Sequence, residues 1–210
     1  MATTMIWGAG GGIGRALVAR LAAEGWTVVA LSRRPAELAD LATHSIAVEL
    51  SDPRAVEQAA STAGEFVSAV DLWIYAAGDI TSAKVAQMSP ADWRRILDAN
   101  LNGAYLATHF SLPLLADDAH LVFLGAVSER MRLPGLSAYA AAKAGLEAFA
   151  TTLGKEERRR RVTVLRPAGV DTPIWRKVPF KMPHKALPPE AVAEQVLVAY
   201  REGHKGILDL

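Results

Sequence analysis

"TTMIWGAGGGIGRALVARLAAEG", residues Thr3 to Gly25, sets a short apolar run, a glycine-rich turn and a stretch of helical period in that order. Thr3 to Trp7 has the β-branched and aromatic content of a buried strand. Gly8 to Gly14, "GAGGGIG", lets the backbone turn sharply, and "RALVARLAAEG" then spaces its apolar residues as an amphipathic helix does. Such a turn aims free backbone N–H groups and the positive end of a helix dipole at one point, where a pyrophosphate can approach. The stretch predicts a dinucleotide-binding strand–turn–helix unit, with a merely tight turn as the alternative.

The same alternation continues to the end of the chain. Strands are expected at "WTVVAL", "SIAVEL", "DLWIYA", "HLVFLG", "RVTVLR" and "GILDL", which with the first makes seven. Helices are expected to start near Gly12, Pro35, Pro53, Pro90, Leu136 and Pro188, several with proline in the first turn, where its missing N–H costs little. Strands separated by helices must pair in parallel, with helices over both faces of the sheet. The fold class is therefore α/β, a doubly wound, seven-stranded, Rossmann-like parallel sheet, with residues 1–210 expected to form one domain. The stretch Thr172 to Pro189 contains five prolines and reads as a loop.

Composition narrows the function classes. With 23 Lys+Arg against 22 Asp+Glu, the net charge of +1 gives no global attraction for nucleic acid or an anionic membrane. The absence of cysteine removes disulfides, thiolate metal sites and cysteine nucleophiles, and suits a reducing cytoplasm. Five scattered histidines offer no metal-ligand spacing, so no metal is expected. The N-terminus lacks a signal-peptide pattern, and no apolar run reaches the ~20 residues of a membrane helix. The basic run Lys155 to Arg161 is read as solvated charge at a helix end rather than a nucleic-acid site.

Two stretches carry chemistry. After the second strand, Ser32, Arg33 and Arg34 offer donors and positive charge where an acidic residue would bind a free ribose, which favours NADP over NAD; solvated surface arginines are the alternative. Tyr139 and Lys143, spaced i and i+4, share one helix face. An ammonium and an oxidised nicotinamide both favour the phenolate, so the pair can exchange a proton with a bound substrate.

With the glycine motif "WGAGGGIG", the "YAAG" after strand four, the asparagine of "LDANLNGAYL", the YxxxK pair and "PAGVDT", the chain resembles the short-chain dehydrogenase/reductase family from Thr4 to Leu208. The resemblance implies reversible hydride transfer between a nicotinamide and a carbonyl or alcohol carbon. It implies that Gly8, Gly12, Ile13 and Gly14 hold the pyrophosphate, Arg33 a 2′-phosphate, Glu49 and Leu50 the adenine, and Ala77 and Gly78 the nicotinamide ribose. It further implies Tyr139 as acid/base, Lys143 as the group that grips the ribose and lowers the tyrosine pKa, and Asn100 as the holder of a water. Pro167, Val170 and Thr172 would orient the nicotinamide. A homodimer or homotetramer pairing the tyrosine helix is also implied.

The chain departs from the pattern at three points. Thirteen residues before Tyr139, where the family has a substrate-orienting serine, stands Ala126; Ser128 is a candidate substitute. Tyr75 and Ala76 replace a pair of asparagines, and Ala168 replaces a glycine. Trp7, in place of the motif's threonine, is expected in the core. Thr172 to Pro189 occupies the place of the family's substrate lid, offering Trp175, Phe180 and Met182 for apolar contact and Arg176, Lys177, Lys181, His184 and Lys185 for anion attraction. The reading is an NADP-dependent oxidoreductase; the alternative, motivated by Ala126, is a nucleotide-binding redox sensor or scaffold with weak or lost catalysis.

Overall fold

A computed structural model describes residues 1–210 apart from the side chain of Ser128. All strand pairings are parallel, in the order β3-β2-β1-β4-β5-β6-β7. The strands are β1 (Thr3–Trp7), β2 (Thr27–Ser32), β3 (His44–Ala47), β4 (Val70–Tyr75), β5 (Leu115–Leu124), β6 (Arg161–Arg166) and β7 (Gly206–Asp209). The helices are α1 (Gly12–Ala23), α2 (Pro53–Phe66), α3 (Pro90–Leu97), α4 (Gly103–Ser111), α5 (Ser137–Glu156) and α6 (Pro189–Glu202).

Successive strand residues face opposite sides of the sheet and feed two separate cores. Met5 and Trp7 of β1, Trp73 and Tyr75 of β4, and Leu121 and Phe123 of β5 pack beneath α2, α4 and α5. Ile6, Leu72, Ile74, Val122 and Leu124 face the other way, onto α1 and α6. The doubly wound arrangement is thus written in the inner strands, which are apolar on both faces, whereas the edge strands β3 and β7 are only partly buried. The chain winds outward in opposite directions from β1 and β4, so the crevice beyond their C-terminal ends is where such sheets bind ligands.

Some expected elements change. The stretch at Pro35 forms only a 3₁₀ turn to Leu38, before the chain enters β3 at His44. β3 ends at Ala47 rather than Leu50, and β5 starts at Leu115 rather than His120. α3 runs through a π-helical segment, Asp98–Asn102, into α4, which the sequence reading left without a separate start. The basic run is only partly solvated: Arg160 donates to the carbonyls of Leu112, Leu115 and Ala116 and pairs with Glu157 at 2.9 Å, closing the chain end before β5. No described helix is long and apolar enough to cross a membrane.

Candidate active site

The glycine-rich turn is held by steric demand. Gly8 has φ of +83°, and a Cβ there would lie 2.7 Å from the Cβ of Ala77 and nearer still to its backbone. Gly14 faces the Gly8 carbonyl, and an added Cβ would fall 2.8 Å from the Ala9 Cα. A Cβ on Gly12 would fall 2.7 Å from Thr172 Cγ2, and Ile13 packs into the core beneath α1 and α6. Gly8, Gly12, Gly14, Ala77 and Thr172, drawn from three distant parts of the chain, therefore meet. α1 begins without a side-chain cap, leaving its first N–H groups directed at the crevice.

Beside this turn, Ser32 is buried at the end of β2 and its hydroxyl accepts from the Arg34 N–H at 3.2 Å. The Arg33 and Arg34 side chains are exposed; Arg34 pairs with Glu37 at 2.8 Å, whereas Arg33 has no ion-pair partner among the described residues. Arg15, not singled out by the sequence reading, donates to the Glu37 carbonyl at 2.9 Å and adds a third guanidinium here. Its position directly after Gly14 was the available signal. Glu49 is exposed, accepting from the Ser51 hydroxyl at 3.0 Å, and Leu50 is half-buried against the core.

On α5, the Lys143 ammonium lies 5.8 Å from the centre of the Tyr139 ring and donates to the Leu124 carbonyl at the end of β5 at 2.8 Å. Burial pushes the Lys143 ammonium down to about 8 and the Tyr139 phenol up to about 12. In both cases the cause is burial, which disfavours the charged form of each group. Asn100 sits at the π-helical segment with its amide donating to the carbonyls of Asp79 at 2.7 Å and Ile96 at 2.8 Å. Its Oδ1 is buried without a partner and would lie 2.9 Å from a Cβ on Gly78, with Lys143 Nζ 3.8 Å from the same point. Gly78, Asn100 and Lys143 therefore wall one niche, whose uncommitted oxygen and spare ammonium protons suit hydroxyls or a water.

Tyr75, which stands where an asparagine was expected, offers a different tie. Its buried hydroxyl donates to the Ala99 carbonyl at 2.9 Å, fastening the end of β4 to the π-helical segment that carries Asn100. Trp7 is fully buried in the core. Ala126, just past β5, is buried and provides no donor; Ser128, the candidate substitute, has its side chain outside the described residues. Ser137 is the first residue of α5, with its hydroxyl buried and unpartnered. Pro167 follows β6, and Val170 bridges to Leu187 and accepts from the Trp175 indole at 2.8 Å. The segment between Val170 and Leu187 is thus pinned at both ends and contains one 3₁₀ turn, Pro173–Lys177. Its Lys177, one of the residues offered for anion attraction, reaches Asp79, which also pairs with Arg95 of α3; Asp79 and Arg95 were not singled out in the sequence, because the meeting of the three is tertiary.

The short chain dehydrogenase family matches residues 2–182 of this chain. The chain is a short chain dehydrogenase. As a member of this oxidoreductase family, it is an enzyme whose relatives include a 2-dehydro-3-deoxy-L-rhamnonate dehydrogenase (NAD(+)) of a Sphingomonas species, 34% identical over 83% of this chain and 74% of the relative. A serine 3-dehydrogenase of Agrobacterium fabrum is 30% identical over 81% of this chain and 72% of its own length. The fold of this short chain dehydrogenase also matches that of a Brucella melitensis 3-ketoacyl-(acyl-carrier-protein) reductase complexed with NADH, with a TM-score of 0.88 at 22% identity, covering 100% of this chain and 96% of that one. The glycine turn, which admits no Cβ at Gly8 or Gly14, and the orphaned Asn100 oxygen are what a bound nicotinamide dinucleotide would use.

Proposed function

We propose that the protein is an NADP-dependent oxidoreductase acting on a carbonyl or alcohol carbon, with Tyr139 as the acid/base and Lys143 as its partner. The observation that carries this reading is the niche walled by Gly78, Lys143 and the unsatisfied Asn100 oxygen beside the glycine turn, with the Tyr139 ring centre 5.8 Å from the Lys143 ammonium. The dinucleotide, when bound, supplies or receives the hydride. Gly8, Gly12, Ile13 and Gly14 hold its pyrophosphate, Glu49 and Leu50 flank the adenine, Ala77 and Gly78 lie under the ribose, and Pro167, Val170 and Thr172 orient the nicotinamide end. Tyr139 gives its proton to the substrate oxygen in reduction and takes it back in oxidation. Lys143, with one proton committed to Leu124, keeps two donors for ribose hydroxyls, and Asn100 holds the water through which the proton is replaced.

The preference for NADP rests on Ser32, Arg33 and Arg34, joined by Arg15, around the place of a 2′-phosphate. The rhamnonate dehydrogenase is named for NAD(+) and the Brucella structure holds NADH, so this preference is the chain's own feature. The named substrates of the two relatives, a rhamnonate and serine, carry an acid group, which selects the panel for assay. The proposal takes residues 1–210 as one nucleotide-binding domain with 172–189 as substrate lid, in the cytoplasm, assembled as a homodimer or homotetramer; exposed Tyr105 on α4 supports the assembly.

Absorbance assays with NADPH and NADH over aldehydes, ketones and hydroxy acids test the reading. Tyr139→Phe is expected to lower turnover by about 10² to 10⁴ with NADPH still bound. Arg33→Ala is expected to weaken NADPH by about 10- to 100-fold and leave NADH unchanged. Equal affinity for the two cofactors would overturn the NADP assignment. The second reading, a sensor or scaffold, is favoured by Ala126 alone. Ala126→Ser restores a donor worth about 10² to 10³ in a complete site, and a gain of at least 10-fold is expected if the machinery is otherwise intact. A wild type that binds NADPH but turns over nothing, with no gain in that variant, would establish the second reading.

A further inference from the structure

Asp79 directly follows Gly78, so its Cα lies about 3.8 Å from the wall of the niche that Lys143 and Asn100 share. Its backbone carbonyl accepts from Asn100 at 2.7 Å, and its Oδ1 accepts from the Ile80 N–H at 2.9 Å. The carboxylate is therefore a fixed post at the edge of the site. Two cations meet on it: Arg95 of α3 on Oδ2, and Lys177, from the 3₁₀ turn of the 172–189 segment, on Oδ1 at 2.5 Å. Arg95 spends its other terminal nitrogen on Asp92 at 2.9 Å. Lys177 differs. An ammonium has three donors, Asp79 takes one, and no other partner for Lys177 is found among the described residues, its side chain remaining 52% exposed.

Stability does not explain this arrangement, since exposed ion pairs contribute little. Charge distribution points elsewhere. The chain as a whole is nearly neutral, yet Thr172 to Pro189 holds four Lys and Arg residues and no carboxylate. A concentrated positive field beside a crevice draws anions into it.

We propose that Lys177 is a substrate anchor: its ammonium, positioned by Asp79 and Arg95, binds a carboxylate or sulfonate carried by the carbonyl or alcohol substrate a few bonds from the reacting carbon. The inference rests on the oxidoreductase reading and sharpens it. Because Asp79 directly follows Gly78 of the Lys143 niche, the proposed substrate is a short-chain oxo or hydroxy acid rather than a long acyl chain.

Succinic semialdehyde and butanal, which share the aldehyde and differ in the terminal carboxylate, separate the possibilities in the NADPH-loaded protein. The wild type is expected to favour succinic semialdehyde in kcat/KM, chiefly through KM. Lys177→Gln is expected to reduce that preference by about 10- to 100-fold, as loss of one charge-assisted hydrogen bond does. Lys177→Arg is expected to restore most of it, and Lys181→Gln, which removes the same charge elsewhere in the segment, to change it less than about twofold. Equal effects of Lys177→Gln and Lys181→Gln would reduce the anchor to a diffuse field and overturn the proposal. NADPH affinity identifies the anion: a loss in Lys177→Gln as large as that in Arg33→Ala would assign the lysine to a cofactor phosphate and likewise overturn it. Calorimetry with succinate on the NADPH complex reads the anchor without turnover. Binding to wild type but not to Lys177→Gln supports the proposal even if no aldehyde is reduced, and equal binding to both refutes it.

Discussion

The turn after β1 and the segment after β6 touch across the same crevice, where Thr172 lies against Gly12, yet they are built on opposite principles. The turn is backbone packed on backbone: Gly8 against Ala77, Gly14 against Gly8 and Ala9. Nothing in it can move aside. The segment is held by a short bridge at Val170 and Leu187 and by a side-chain ion pair from Lys177, and most of its basic residues face solvent. A rigid cradle suits a part of the ligand that is the same in every turnover, and an adaptable flap of long side chains suits the part that varies.

Substitutions in the two regions should differ accordingly. The largest effect is expected from Gly14→Ala, whose methyl has only main chain to displace: a loss of about 3 kcal/mol or more in denaturant unfolding, with dinucleotide binding abolished by calorimetry. A variant that retains both would mean that the cradle yields, and the contrast with the flap would fail.

Lys143→Met sharpens the comparison at the floor between the regions. The ammonium's pKa falls from 10.5 to about 8 on folding. Between those values the unfolded chain binds a proton that the folded one has released, so wild-type stability gains with pH over that window and is lowest, from this group, below about pH 8. Urea midpoints from pH 7.5 to 10 should show wild type gaining on Lys143→Met by up to about 3 kcal/mol, with the variant at least as stable at the acid end. Tyr139, pushed up to about 12, acts in the opposite direction only above pH 10 and stays out of that range. A pH-independent difference would show that Lys143 is better solvated than its burial implies.

The smallest effect is expected at Tyr75, whose hydroxyl ties β4 to the π-helical segment. Tyr75→Phe should cost about 1 kcal/mol and speed amide exchange around Ala99 to Asn102, leaving the glycine turn protected.

The glycine turn was legible because its meaning is local: a strand, glycines and a helix in succession admit few backbone paths. The adjacent Arg33 and Arg34 and the Tyr139 and Lys143 pair were legible for the same reason, being neighbours in the chain or one helical turn apart. The contacts that are not legible join distant positions. Arg15 reaches Glu37, Tyr75 reaches Ala99, and Asp79 gathers Arg95 and Lys177 from 16 and 98 residues away. The stretch at Pro35 carried a helix signal, but forms a single 3₁₀ turn between β2 and β3.

By itself the sequence determined the layered α/β fold, because apolar residues on both faces of the inner strands demand helices above and below and parallel pairing demands crossovers. It determined equally the sharp turn after β1, since only glycine permits the backbone path at Gly8 and Gly14. Only the tertiary structure decided which charges meet at the crevice and how the reacting groups are solvated. Those depend on distances between elements far apart in the chain, and the burial that raises Tyr139 and lowers Lys143 exists only once the sheet and its helices have closed around them.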